Sequence, residues 1–171
     1  VQELSIHQIE LEQQNEELKK TQSALEIIRN RYSDLFNNAP IGYIIIKKDY
    51  RIKDVNNTAA EMLGISKNDL KEKSFTTYIH PDFQDTFYFH MKEIRRSGQN
   101  QTCELKLKPA NTDYIYVNIE SARIDEADQN KGNESIRCAV IDTTDRKEKE
   151  EISQRLSAIV NSSDDAIISA S

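Results

Sequence analysis

The residues here best suited to hold a metal or to act as nucleophiles are His7, His80, His90, Cys103 and Cys138, and their spacing denies them most of that chemistry. A structural zinc site needs four donors, usually supplied as close Cys or His pairs. This sequence has no Cys-x-x-Cys and no His beside either cysteine. The two thiols read as reduced core residues, and no metal is expected. The four glycines build no phosphate-binding loop. No Ser, His and Asp set stands where the elements described below would bring its members together. The chain therefore reads as having no catalysis of its own. His80, in Ile79-His80-Pro81-Asp82, is expected to fix a loop. His90 is the sharper candidate, because it shares a helical stripe with Phe83, Phe87 and Ile94.

Composition narrows the partners. The 171 residues are 37% hydrophobic and 30% charged, enough for one globular domain plus extended helix. A net charge of -6 without a basic cluster argues against a nucleic-acid surface. The longest apolar run, from Ile41 to Ile46, is far short of the roughly 20 residues of a membrane helix. The start, Val-Gln-Glu-Leu, has neither a signal peptide's pattern nor an initiating Met. The expectation is a cytoplasmic piece of a longer protein, with proteins or a small molecule as partners.

These residues must be positioned by the elements that the patterning predicts. Leu4, Leu11, Leu18 and Leu25 recur every seven residues through a stretch without Gly or Pro, the repeat of a coiled coil. With the leucines at d, the a positions are Val1, Gln8, Asn15, Gln22 and Arg29; with them at a, the d positions are His7, Gln14, Thr21, Ile28 and Leu35. Neither seam is fully apolar, so the coil should be weak alone and open to either register. Pro40 ends this helix. A hairpin of strands at 42–47 and 51–55 follows, then short helices opened by capping boxes at Thr58-x-x-Glu61 and Ser66-x-x-Asp69. A longer helix runs from Pro81 to about Arg96. Strands are expected at 101–108, 114–124 and 135–142, with a polar, mobile loop at 125–134. That order predicts an α+β fold, an antiparallel sheet covered on one face by helices.

The pattern partly repeats. Leu35-Phe36-Asn37-Asn38-Ala39 aligns with Ile159-Val160-Asn161-Ser162-Ser163, which sets Gly42-Tyr43-Ile44 opposite Ala166-Ile167-Ile168. An offset of about 124 positions implies tandem domains. The expected organisation is an N-terminal signalling helix over 1–31, a domain over 32–143, a linker helix over 144–160, and the truncated start of a second copy over 161–171. That tail is expected to be poorly ordered or to pair with another chain.

Several pieces carry a family resemblance: Asn38-Ala39-Pro40-Ile41-Gly42; Ile52-x-x-Val55-Asn56-x-x-Ala59-x-x-x-Leu63-Gly64; Ile79-His80-Pro81-Asp82; Arg96-Ser97-Gly98; and Asp142-x-Thr144-x-x-Lys147. In this order and spacing the chain resembles the PAS domain family. The resemblance implies a five-stranded antiparallel sheet in the order second, first, fifth, fourth, third, with helices enclosing a small cavity on one face. Cys103 and Cys138 would then be separated by one intervening strand, ~9.5 Å, beyond the reach of about 7 Å that a disulfide tolerates. The turn Asn111-Thr112-Asp113 departs from the family's usual Asp-Gly, and the family's usual Trp on the fourth strand is absent.

Flavin photosensors of the family carry a Cys in the helical region; none lies within 58–96 here, so adduct chemistry is not expected. Haem sensors of the family use a His on or after the long helix. His90 stands there, and haem through His90 is the alternative to no cofactor at all. The implied pocket is lined by Tyr43 or Ile45 from the first strand and by Met62, Leu63, Phe75, Tyr78 and Ile79 from the short helices. Phe83, Phe87, His90 and Met91 of the long helix complete it with Leu105, Val117, Ile119 and Val140 of the sheet; a close-packed core needs the same residue types. Asp142 and Thr144 are the expected signal-transfer junction, Thr144 or Asp142 capping the outgoing helix, with Asp145 suiting its dipole. The resemblance thus points to a sensory input and dimerisation module of a signal-transduction protein, most plausibly a histidine kinase. Its partners would be a second copy, through the N-terminal helix and the domain, and the downstream PAS and output domains of the same chain. The alternative is a constitutive dimerisation or scaffolding module with no ligand.

Overall fold

In the computed structural model, which describes residues 1–124 and 134–169, the chain divides into two units, Val1–Ala39 and Pro40–Ser171. The first is one helix, α1 (Gln2–Asn37), in which no residue is buried. It stops just ahead of Pro40, as the missing amide hydrogen of proline requires. Near its end Tyr32 and Phe36, one turn apart, stack with ring centroids 6.0 Å apart.

The second unit is an antiparallel sheet with its helical layer. Strands β1 (Gly42–Lys47), β2 (Ile52–Val55), β3 (Gln101–Leu107), β4 (Ile115–Ile124) and β5 (Ser135–Asp142) lie in the order β2-β1-β5-β4-β3. That is the order the family resemblance implied. Helices α2 (Asn57–Leu63) and α3 (Lys67–Leu70), the 3-10 turns Phe75–Tyr78 and Pro81–Phe83, and α4 (Gln84–Ser97) connect β2 to β3. Helix α5 (Thr144–Ser169) leaves from β5.

The phase of β1 differs from expectation. Ile44 and Ile46 enter the core, and Tyr43 and Ile45 are only half-buried. An unbroken apolar run carries no alternation to reveal its inner face. The phase comes from β5, where Ile44 stands opposite Cys138 and Ile46 opposite Ile136, both buried.

The cap of α2 also differs. Asn56, and not Thr58, caps it. Asn56 Oδ1 accepts from Ala59 N at 3.0 Å and from Tyr43 N at 2.8 Å, while Nδ2 donates to Ile41 O at 2.9 Å. One buried amide thus ties α2 to both the start of β1 and the chain entering it. Ser66 caps α3 as expected, accepting from Asp69 N. Gly64, at φ +66°, ends α2 in the left-handed region, where a side chain would be strained and its Cβ would meet Asn111 at 2.9 Å.

Helix α5 passes the point where the sequence reading ends the linker at Val160 and continues as helix to Ser169. Residues 161–169 contain neither Gly nor Pro, and a lone strand there would have no ladder, so local i to i-4 bonding prevails. Ser162 Oγ donates to Ile159 O at 2.9 Å within it. Of the loop expected to be mobile at 125–134, residues 125–133 lie outside the described residues, as do residues 170–171 of the tail. Among the described residues no helix is long and apolar enough to cross a membrane.

Candidate functional site

Most of the residues expected to line a pocket form the core itself. Phe75, Phe87, Met91, Leu105, Val117, Ile119 and Val140 are buried, as are Leu63 and Ile79. Met62, Tyr78 and Phe83 are half-buried against them. Phe75 and Phe87 meet edge to face with centroids 5.4 Å apart, the arrangement their ring quadrupoles favour. Each fully buried side chain of this size contributes about 1.5–3 kcal/mol. Tyr43 and Ile45 lie on the opposite face of the sheet, so Ile44 and Ile46 take the places proposed for them. Burial, aided by the nearby Asp69 carboxylate, pushes the Tyr78 phenol above its ordinary value.

His90 is buried on α4, 7% exposed, with Nε2 2.9 Å from Ser121 Oγ on β4. Ser121 Oγ in turn donates to Cys138 Sγ on β5 at 3.2 Å. A hydroxyl has one hydrogen, so its oxygen must accept from His90 Nε2-H, which fixes that tautomer. Burial also holds the imidazole below its ordinary value, favouring the neutral ring. The His90 nitrogen nearest the sheet is therefore committed as a donor, and iron ligation through it would require breaking this bond. Cys103 and Cys138 are both free thiols, each pushed up to about 12 chiefly by burial. Among the described residues, no group of three or more His, Cys, Asp and Glu is arranged to hold a metal.

The exit from β5 is a densely bonded polar site. Asp142 Oδ1 accepts from Thr144 N at 2.9 Å and from Thr144 Oγ1 at 2.6 Å. The Thr144 hydroxyl, its hydrogen given to Asp142, accepts from Tyr116 N on β4 at 3.0 Å. Tyr116 O accepts from Thr143 N at 2.8 Å. Thus the Asp142 carboxylate satisfies the first amide of α5, and Thr144 is the pin that holds the helix start to the neighbouring strand. Further along α5, Lys147 Nζ and Arg146 reach Glu104 on β3 at 2.6 and 3.1 Å, and Tyr116 Oη donates to Glu151 at 3.2 Å. The first two turns of α5 are fastened to β3, β4 and β5 together.

Sequence reasoning found Asp142 and Thr144 and missed Tyr116, Glu104, Arg146 and Glu151. Their separations along the chain, 42 residues for Arg146 to Glu104 and 35 for Tyr116 to Glu151, leave no local signal. The alternation of β3, which sends Glu104 to the face away from Leu105, was the available hint. Ser121 and Cys138 were equally invisible as partners of His90 until β4 and β5 were paired in register, Ser121 opposite Cys138.

The sequence profile of the PAS domain family matches residues 30–98. No curated protein matches the chain. Among solved structures, the PAS domain of an HTR-like protein from Haloarcula marismortui superposes with a TM-score of 0.64 at 16% identity, covering 72% of this chain and 98% of that one. A PAS domain from a two-component sensor histidine kinase gives 0.57 at 16% identity, covering 68% and 97%. The PAS domain of nitrogen regulation protein NR(II) from Vibrio parahaemolyticus gives 0.53 at 15%, covering 64% and 95%.

Proposed function

We propose that the PAS domain this chain carries is the sensory input and dimerisation module of a longer cytoplasmic signalling protein, passing changes in its sheet to α5. The observation that carries this reading is the junction in which Thr144 is bonded at once to Asp142 and to the Tyr116 backbone. A helix fastened at its base to three strands must follow their displacement. The structural likeness to PAS domains of a sensor histidine kinase and of NR(II) supports a two-component, phosphorelay context. Catalysis then belongs to other domains of the longer protein, and the partial repeat beginning near Asn161 is read as the start of a second PAS copy, not as one of those domains. No cofactor is assigned to the domain, since His90 already has Ser121 as its partner.

The heptad leucines of α1, every one exposed, suit a parallel coil with a second copy. Helix α5 offers a second seam. Ile152, Leu156 and Ile159 are exposed and, at the helical angle per residue, share one face that is turned away from Lys147, with Leu156 opposite it. The helix can hold its own sheet and a twin at the same time.

A constitutive dimerisation module without ligand is the second reading, favoured by the close packing of Phe75, Phe87 and Met91, each 0% exposed. Native mass spectrometry and an absorption spectrum of the purified chain separate the two. A dimer carrying a stoichiometric small molecule supports sensing, and an empty dimer supports scaffolding. A chain that stays monomeric at tens of micromolar would sink both.

A further inference from the structure

Lys106 on β3 is the direct cross-strand neighbour of Tyr116 on β4. Its ammonium lies over two rings, 3.6 Å from the Tyr114 centroid and 5.0 Å from that of Tyr116. The two rings meet at 78°, so both offer an electron-rich face to one cation. No carboxylate among the described residues pairs with Lys106, and the rings are its charge partners. The Lys106 backbone has a separate engagement. Its carbonyl accepts from His80 N at 2.8 Å, and beside it Lys108 N donates to Tyr78 O at 2.8 Å. Ile79 and Leu107 form the bridge between these two bonds. One residue is therefore tied by its main chain to the turns that cover the core and by its side chain to the strand that pins α5.

Tyr116 completes the connection. Its amide bonds Thr144, its carbonyl accepts from Thr143 and its hydroxyl bonds Glu151. We propose that Lys106 is a positioning residue that couples the Phe75–Tyr78 and Pro81–Phe83 turns to α5 through the ring of Tyr116. A displacement of the His80 turn moves the β3 backbone at Lys106. The ammonium carries the tyrosine rings with it, and the Tyr116 hydroxyl draws on Glu151. The proposal rests on the reading of α5 as the output helix and supplies a route into it from the helical layer. Charge is the working property: a side chain of similar length without it would pack on the rings but not hold them.

Amide hydrogen exchange over residues 147–152 in the full chain tests this. Lys106→Met and Tyr116→Phe should each speed exchange there by about two- to fivefold, the scale of one exposed cation-ring or hydroxyl contact. The double variant should exchange no faster than the faster single, because both act on one connection. Lys106→Arg, which keeps a cation over the rings, should behave as wild type. Wild-type exchange in Lys106→Met, additive effects in the double variant, or failure of Lys106→Arg to restore protection would each overturn the proposal. Asp142→Ala in the same experiment keeps the two ideas apart. If it loosens α5 while Lys106→Met does not, the junction stands and the route through Lys106 falls. If Asp142→Ala also leaves α5 protected, the reading of the junction falls with it.

Discussion

Lys147 Nζ on α5 lies 2.6 Å from Glu104 Oε2 on β3, and Arg146 shares the same carboxylate from 3.1 Å. One acidic residue on an edge strand thus receives two cations from the first turn of the outgoing helix. The hydrogen bond from Lys147 holds the Glu104 carboxyl below the usual carboxylate range. The group is about half exposed, so solvent screening limits the net gain to under about 1 kcal/mol. Glu104→Lys should set three cations against one another and lower the melting temperature at low salt, with most of the loss recovered at high salt. Circular-dichroism melts at low and high sodium chloride check this; a loss independent of salt would point to packing.

From a fully buried position the Asn56 side chain bonds Tyr43 N, Ala59 N and Ile41 O. Asn56→Ala removes these bonds to the Tyr43 and Ala59 amides and to the Ile41 carbonyl. A cost of about 3 kcal/mol or more is expected in urea unfolding, since removing one partner of a buried bond costs about 1–3 kcal/mol. Asn56→Asp keeps the two acceptor bonds but sets a carboxylate against Ile41 O, and should be destabilised as well. Either variant unfolding at the wild-type midpoint would contradict this account of the cap.

The pH response of stability should be set first by His90. Burial holds its folded pKa below the ordinary 6.5, so the unfolded chain takes up this proton at a higher pH than the folded one. The neutral ring's contribution is complete above about 6.5 and is lost as pH falls toward the folded value. Melting temperature should therefore begin to fall below neutrality, before carboxylates titrate. His90→Gln, which keeps an N-H donor, should flatten that part of the profile. An unchanged slope between pH 7 and 5.5 would remove His90 from the explanation.

Both thiols, pushed up to about 12, should be inert in the folded chain. Only about one in ten thousand would be ionised at pH 8, and the thiolate is the nucleophile. Iodoacetamide should leave Cys138 unmodified in buffer and alkylate it promptly in guanidinium. Mass spectra after brief native labelling read this directly, and rapid native modification of Cys138 would show that β5 opens.

The helical layer and the polar residues Asp142 and Thr144 at the end of β5 were legible in the sequence, because alternation, capping residues and turn residues act over a few positions; the strand order came only from the family resemblance. What was not legible depends on register. Ile44 and Ile46 could not be told from Tyr43 and Ile45 inside an apolar run, since only pairing with Cys138 and Ile136 fixes the inner face. Thr58 looked like the better cap until Asn56 proved to serve β1 as well as α2. The continuation of α5 beyond Val160 reflects the absence of strand partners for 166–168, which is a property of the rest of the fold and not of those residues.

Helix α1 spans 36 residues and buries none of them. Helix propensity alone holds such a segment only marginally in water, so its helicity should depend on what covers its leucines. If that cover is a second copy, mass action governs the segment: dilution melts it while the sheet-bearing unit stays folded. The N-terminal end of this chain would then gauge how many copies are present, a quantity independent of any ligand of the domain.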